Sequence, residues 1–272
     1  MLRSMYSGVS GMRGFQTKLD VIGNNIANVN TLGFKSGRVM FKDIMSQTVS
    51  GVTAPVEGGQ GGVNAQQIGL GVSIGSVDTM HLAGSAMTTN NPTDLRIDGD
   101  GFFVVRLSDD QETPFLTRAG DFHMDAARNL ITSDGLHVLN SDGEAIQLAA
   151  EVTAFSISSD GTIVQTMADG TTEPGVRIGM AKVSNPQGLE KIGGNLYRMT
   201  LNANADGELV ITTPNDAEAG TGKIVSGQLE MSNVDLTGEF TEMIVTQRGF
   251  QANSRIITTS DEVLQEVVNL KR

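Results

Sequence analysis

Apolar residues at the start of the chain fall at Leu2, Met5, Val9, Met12, Phe15, Leu19, Ile22, Ile26 and Val29. Every step between them is three or four residues. That spacing marks one face of a helix and approaches a coiled-coil seam. At 1.5 Å per residue the helix would be roughly 40 Å long. Gly8, Gly11, Gly14 and Gly23 interrupt it, each expected to cost up to about 1 kcal/mol relative to Ala. Asn28, Asn30, Thr31 and Gly33 are expected to end it. A second periodicity closes the chain: Leu236, Met243, Phe250, Ile257 and Leu264 recur every seven residues. The companion seam, Phe240, Gln247, Ser254, Asp261 and Val268, is apolar only at its ends. One unbroken seam beside one mixed seam predicts packing against unlike partners, not a two-stranded zipper. Asp235, Glu239 and Glu242 near its start, with Lys271 and Arg272 at its end, suit the helix dipole. Two arrangements fit such helices: a helical hairpin beside a β domain, or helices that pack with copies of themselves.

Between the helical ends the pattern changes to short alternating runs, such as Leu95–Leu107 and Ala154–Ile157. Asp-Gly pairs punctuate them at 98–99, 100–101, 134–135, 142–143, 160–161, 169–170 and 206–207. Asp-Gly supplies the positive φ that tight hairpin turns need, so this region is predicted to be a β body. The cluster Glu57-Gly58-Gly59-Gln60-Gly61-Gly62 reads as a loop or extended linker, and 202–221 as a second loop region. The fold class is therefore α+β: long terminal α-helices and a central, mainly antiparallel β domain.

Composition removes several chemistries. There is no Cys, which excludes disulfides, zinc–thiolate sites and thiol nucleophiles. The three His residues, His81, His123 and His137, are too scattered for most metal or acid–base sites. A net charge of −12 argues against nucleic acid as a partner. That charge is uneven: residues 1–42 carry +5, the last 39 carry −2, and the middle carries −15. Pairing between the basic and acidic ends would be weak, about 0–1 kcal/mol per pair. No run approaches the roughly 20 apolar residues of a membrane span, and no signal-peptide pattern opens the chain. Asp98-Gly99-Asp100-Gly101 lacks the ligand spacing of a calcium loop. Gly220-Thr221-Gly222-Lys223 lacks the first Gly and the final Ser/Thr of a phosphate loop. Gly69-Leu70-Gly71 follows no clear strand, and the carboxylates Asp109-Asp110 read as a solvated turn. No catalytic, cofactor-binding or metal-binding residues are nominated, and the chain is not expected to be an enzyme.

Ala27-Asn28-Val29-Asn30-Thr31-Leu32-Gly33-Phe34-Lys35 resembles the N-terminal signature of bacterial flagellar hook and rod proteins, the axial family. The run from Ser232 through Met243-Ile244-Val245-Thr246-Gln247-Arg248-Gly249-Phe250 to Asn269-Leu270 resembles the family's C-terminal segment. Asp98–Phe103, Thr117–Gly120 and Gly188–Tyr197 also look like the family's central region. The resemblance implies that residues 1–32 and 233–272 form an inner, channel-lining coiled-coil layer of subunit-packing helices. It implies an extended linker over 33–84 and an outer β domain over 85–232. The signature residues would be Ala27, Asn28, Thr31, Gly33, Phe34 and Lys35. Phe41 and Met45 resemble a short export motif, or else core residues on one helical turn.

The resemblance further implies a homopolymer of helically stacked subunits, without a cofactor, small-molecule substrate or membrane insertion. Its partners would be adjacent axial and junction proteins, the export apparatus and a cap protein. Its place would be the flagellum, reached by export without a cleaved signal. Within the family a short, Gram-positive-type hook protein is favoured, with a distal rod protein as the alternative. A bending hook needs contacts that slide, which the polar, Gly-rich 51–75 segment would provide; the same segment packed stiffly would suit a rod. A β-domain adhesin or binding module with a helical stalk is the reading from outside the family.

Overall fold

The computed structural model describes residues 2–55, 61–108, 111, 113–149, 151–204, 207 and 209–270. Glu57–Gln60, Asp109-Asp110, Asp206, Lys271 and Arg272 lie outside the described residues, as does the side chain of Leu2. The chain divides into two compact units. The helical unit comprises 1–27, 37–79 and 235–272, and the β unit comprises 28–36 and 80–234.

The β unit is antiparallel throughout its described ladders and is built around the strand Phe102–Arg106. That strand pairs with Phe115–Thr117, His137–Val138 and Met180–Ala181. Alternate residues of a strand point to opposite faces. Phe103 and Val105 accordingly enter one apolar cluster, with Leu95, Ile97, Phe122 and Ile178. Phe102 and Val104 enter another, with Leu116, Leu139 and Tyr197. Burial on both faces explains why this run reads as continuously apolar. A meander of Val152–Ile157, Thr162–Met167 and Thr172–Arg177 forms a separate three-stranded sheet. The glycines of all seven Asp-Gly pairs have positive φ, from 66° to 134°. Gly161 and Gly170 turn the meander's two hairpins, as Asp-Gly chemistry predicts.

The segment 28–36 is held inside this β unit by polar groups. Lys35 is buried, and its Nζ donates to Glu230 Oε1 at 2.6 Å and to the Leu82 carbonyl at 2.7 Å. Glu230 also accepts from the Gly84 amide at 2.9 Å and from Arg118 Nη1 at 3.4 Å. Its backbone carbonyl accepts from the Gly33 amide at 2.8 Å. Asn233 accepts from the Ser36 amide and donates to the Met80 carbonyl. Burial pulls the Lys35 ammonium below its ordinary pKa, against the pull of Glu230. A buried ion pair adds little net stability, but breaking one leaves a charge stranded, at a cost of about 3–5 kcal/mol.

Beside this cluster His81 packs edge-on against Phe102 and Tyr197, with ring centroids 5.7 and 5.3 Å away. Its Nδ1 and the Tyr197 hydroxyl are buried without a hydrogen-bond partner among the described residues. Burial first, and then the cations Lys35, Arg118 and Lys191, push His81 down to about 4. Burial raises the Tyr197 hydroxyl to about 12.

Two outcomes follow from this packing. Glu230→Gln, which strands Lys35, is expected to lower unfolding stability by about 3 kcal/mol or more, read by urea denaturation of the full chain. His81 stays neutral when folded but protonates near its ordinary pKa of 6.5 when unfolded. Its contribution is therefore complete above about pH 6.5 and is lost as pH falls toward 4. His81→Phe should shrink the difference in urea midpoint between pH 7 and pH 4.5; an unchanged difference would contradict the assignment.

Candidate assembly surface

In the helical unit, α1 spans Leu2–Ala27 and α2 spans Leu236–Leu270. They run antiparallel: Lys18 Nζ lies 2.8 Å from Glu242 Oε2 near one end, and Gly8 faces Ile257 near the other. Glycines make the close approach. A methyl added at Gly249 would sit 2.8 Å from Phe15 Cζ, and one at Gly11 would sit 2.7 Å from Asn253 Nδ2. At Gly14 it would meet Phe41 Cε1 at 2.8 Å, whereas at Gly23 it would meet nothing within 4 Å. On helix propensity alone all four α1 glycines count as weak points. Three of them are contact points instead, and only Gly23 retains the simple propensity cost.

Asn25 fastens the end of the pair. It is 1% exposed, donates from Nδ2 to the Gly37 carbonyl and Glu239 Oε1, and accepts from the Gly37 amide, each at 2.9 Å. Burial pushes the Glu239 carboxyl up. Asn25 and Glu239 carried no signal as a pair, because 214 positions separate them. The only local hint was a polar residue three positions after Ile22 on an otherwise apolar face.

The expected linker 33–84 carries two antiparallel ladders of this unit. Gly37–Asp43 pairs with Val72–Thr79, and Ser46–Ser50 pairs with Gln66–Gly69. The Phe41 ring lies 5.9 Å from that of Phe15. Phe41 is on a strand and Met45 follows it, so the two do not share a helical turn. Gly and polar residues disguised these strands, whose side chains are mostly exposed.

The predicted packing residues divide by exposure. Ile22 is buried; Met5, Met12, Phe15, Leu19, Ile26, Met243, Ile257 and Leu264 are half-buried. Val9, Leu236, Phe240, Phe250 and Val268 are exposed, as are Phe41 and Met45. Among the signature positions, Ala27 closes α1, and Val29 and Thr31 are half-buried in the turn that follows. Thr31 Oγ1 hydrogen-bonds to Asn28 Oδ1. Gly33, Phe34 and Lys35 are buried in the β unit. Gly33 has φ +65°, and an added Cβ would lie 2.6 Å from the Ala119 nitrogen, so only glycine fits there.

Exposure is distributed unequally. Among the described residues, 29 large apolar side chains are exposed, and 23 of them belong to the helical unit. Of the 26 buried apolar residues, only Ile22 and Val39 belong to it. On α2 alone, Phe240, Ile244 and Val245 are 50–62% exposed. Twenty-three exposed large apolar side chains on one unit exceed the singly scattered ones that a monomer's surface ordinarily carries. Among the described residues no group of three or more His, Cys, Asp or Glu side chains is placed to hold a metal, and no helix is long and apolar enough to cross a membrane.

Comparison with known proteins gives this surface a context. Residues 5–35 match the flagella basal body rod protein family, 96–165 the flagellar hook protein FlgE/F/G D1 domain, and 225–270 the flagellar basal body rod FlgEFG protein C-terminal family. The chain is 55% identical over 272 residues, all of both chains, to the flagellar basal-body rod protein FlgG of Bacillus subtilis. It is 37% identical over 278 residues to FlgG of Borreliella burgdorferi, again covering both chains. The flagellar hook protein FlgE of the same organism is 27% identical over a 450-residue alignment that spans both chains.

Gly249→Leu is expected to wedge α1 from α2 at Phe15, costing about 1–3 kcal/mol. Gly23→Ala should instead raise helix stability by up to about 1 kcal/mol. Far-ultraviolet ellipticity of the two variants should therefore move in opposite directions from the parent. The helix pair, the buried signature and the end-to-end similarity agree: the chain belongs to the flagellar hook and basal-body rod family of axial proteins.

Proposed function

We propose that this chain is a rod-type structural subunit that polymerises helically into a stiff tube, passing torque along the flagellar axis and enclosing a channel. The observation that carries polymerisation is the helical unit's apolar surface: 23 exposed large side chains against two buried ones. Hydrophobic burial of roughly 25 cal/mol per Å² makes covering that surface with neighbouring copies strongly favourable. The helices would then form the inner coiled-coil layer and the β unit the outer wall. Export without a cleaved signal, and contact with cap and junction proteins, belong to the same reading.

Hook and rod types both fit the family. The rod type is favoured because the rod-named relatives align end to end over 272 and 278 residues. The hook-named relatives need alignments of 450 and 472 residues, which leave large parts of those proteins unmatched by this 272-residue chain. The paired ladders within 37–79 support the same choice, since hydrogen-bonded strands resist bending more than an open glycine-rich linker does.

Purified protein nucleated with salt should form straight, stiff tubes in negative-stain electron microscopy. Curved, flexible tubes would move the assignment to the hook type. Persistent monomers with well-ordered helices would favour a binding module. Val245→Asp, at a position 62% exposed in the single chain, should leave the circular dichroism spectrum unchanged and abolish tubes.

A further inference from the structure

We infer that the distal end of α2 from one subunit docks in a groove between α1 and the strand Val72–Thr79 of another copy. This rests on the polymer reading above and names one of its contacts. Thirteen described residues of α2 lie beyond the Gly8–Ile257 contact, against six of α1. Val263, Val267 and Leu270 in this stretch are 45%, 50% and 86% exposed. Their spacing of four and three places them on one helix face, the i, i+4, i+7 pattern by which a helix enters a groove. Glu262 and Glu266 border that stripe at helical spacing.

The receiving groove holds about 500 Å³, and Val9, Arg13, Thr17, Val72 and Ile74 are among its walls. Val9, Val72 and Ile74 give it apolar walls, and Arg13 places a cation within it. An apolar stripe edged by carboxylates therefore meets a groove with apolar walls and a cation, Arg13, within it. The stripe and the groove are different patches of the chain, so the contact is heterologous and does not close on itself. A contact of that kind propagates into a helical array, which selects a second copy as the occupant.

The test uses the full chain, which has no native cysteine. Ser73→Cys and Val267→Cys are purified separately, then assembled alone or mixed one to one under mild oxidation. The contact predicts disulfide-linked dimers from the mixture and none from either variant alone. Val267→Asp should raise the concentration needed for assembly about tenfold, consistent with losing one buried apolar anchor. Arg13→Glu should weaken assembly, and adding Glu266→Arg in the same chain should restore it. Cross-linking of Val267→Cys with itself would overturn the inference in favour of α2–α2 pairing. So would parent tubes whose assembly ignores all these changes. Failure of the parent chain to form tubes would instead remove the polymer reading, and this contact with it.

Discussion

A helix pair joined through glycines buries little. Gly249 lies under the Phe15 ring and Gly11 under Asn253, so the two backbones come close at these points. The flanking ladders add Phe41 and Val39, and Val39 is the one that becomes buried. Among the described residues the helical unit is held by close backbone approach, a set of mostly half-buried apolar side chains, the Asn25 bridges, the two ladders and the Lys18–Glu242 ion pair. An exposed ion pair such as Lys18–Glu242 contributes at most about 1 kcal/mol. Twenty-three of the helical unit's described large apolar side chains remain exposed. That imbalance underlies the proposed assembly: a unit that exposes this much apolar surface is the one expected to meet other copies.

The β unit has the opposite character. Its central strand is buried on both faces, and its two apolar clusters take nearly all of the buried apolar residues. The signature segment enters this unit through Lys35, Gly33 and Phe34. A buried lysine needs a buried acceptor, and Glu230 supplies it from a strand 195 positions away. The arrangement ties the segment that follows α1 to the strand that precedes α2. The Lys35–Glu230 bond thus joins the two stretches of the β unit that precede the chain's passages into the helical unit, after 36 and after 234, a role of specificity more than net stability.

Much of this was legible in the residues. The three-and-four spacing from Leu2 and the sevenfold repeat from Leu236 gave both helices, because periodicity directly reports a half-buried face. Asp-Gly pairs marked the turns because few dipeptides adopt positive φ so readily. The strands within 37–79 were hidden, since a ladder that buries almost nothing leaves no alternation of hydrophobicity to read. The helix glycines misled for a related reason. Propensity counts their cost in an isolated helix and is blind to the neighbour whose approach they allow. Glu230 and Asn25 were missed because a buried hydrogen bond between distant positions has no local pattern. Hook and rod readings both fit the family, and local motifs shared by the two types do not separate them; the length-matched similarity over the whole chain is to rod-named relatives.

Amide hydrogen exchange, compared between dilute monomer and assembled tubes, addresses the central claim most directly. If the helical unit is completed by its neighbours, amides of α1 and α2 exchange rapidly in the monomer and become protected in the tube. Amides of the strand Phe102–Arg106 should be protected in both states. Equal protection of α1 and α2 in dilute monomer and in tubes would contradict the account, because it would mean that the helix pair is stable without other copies.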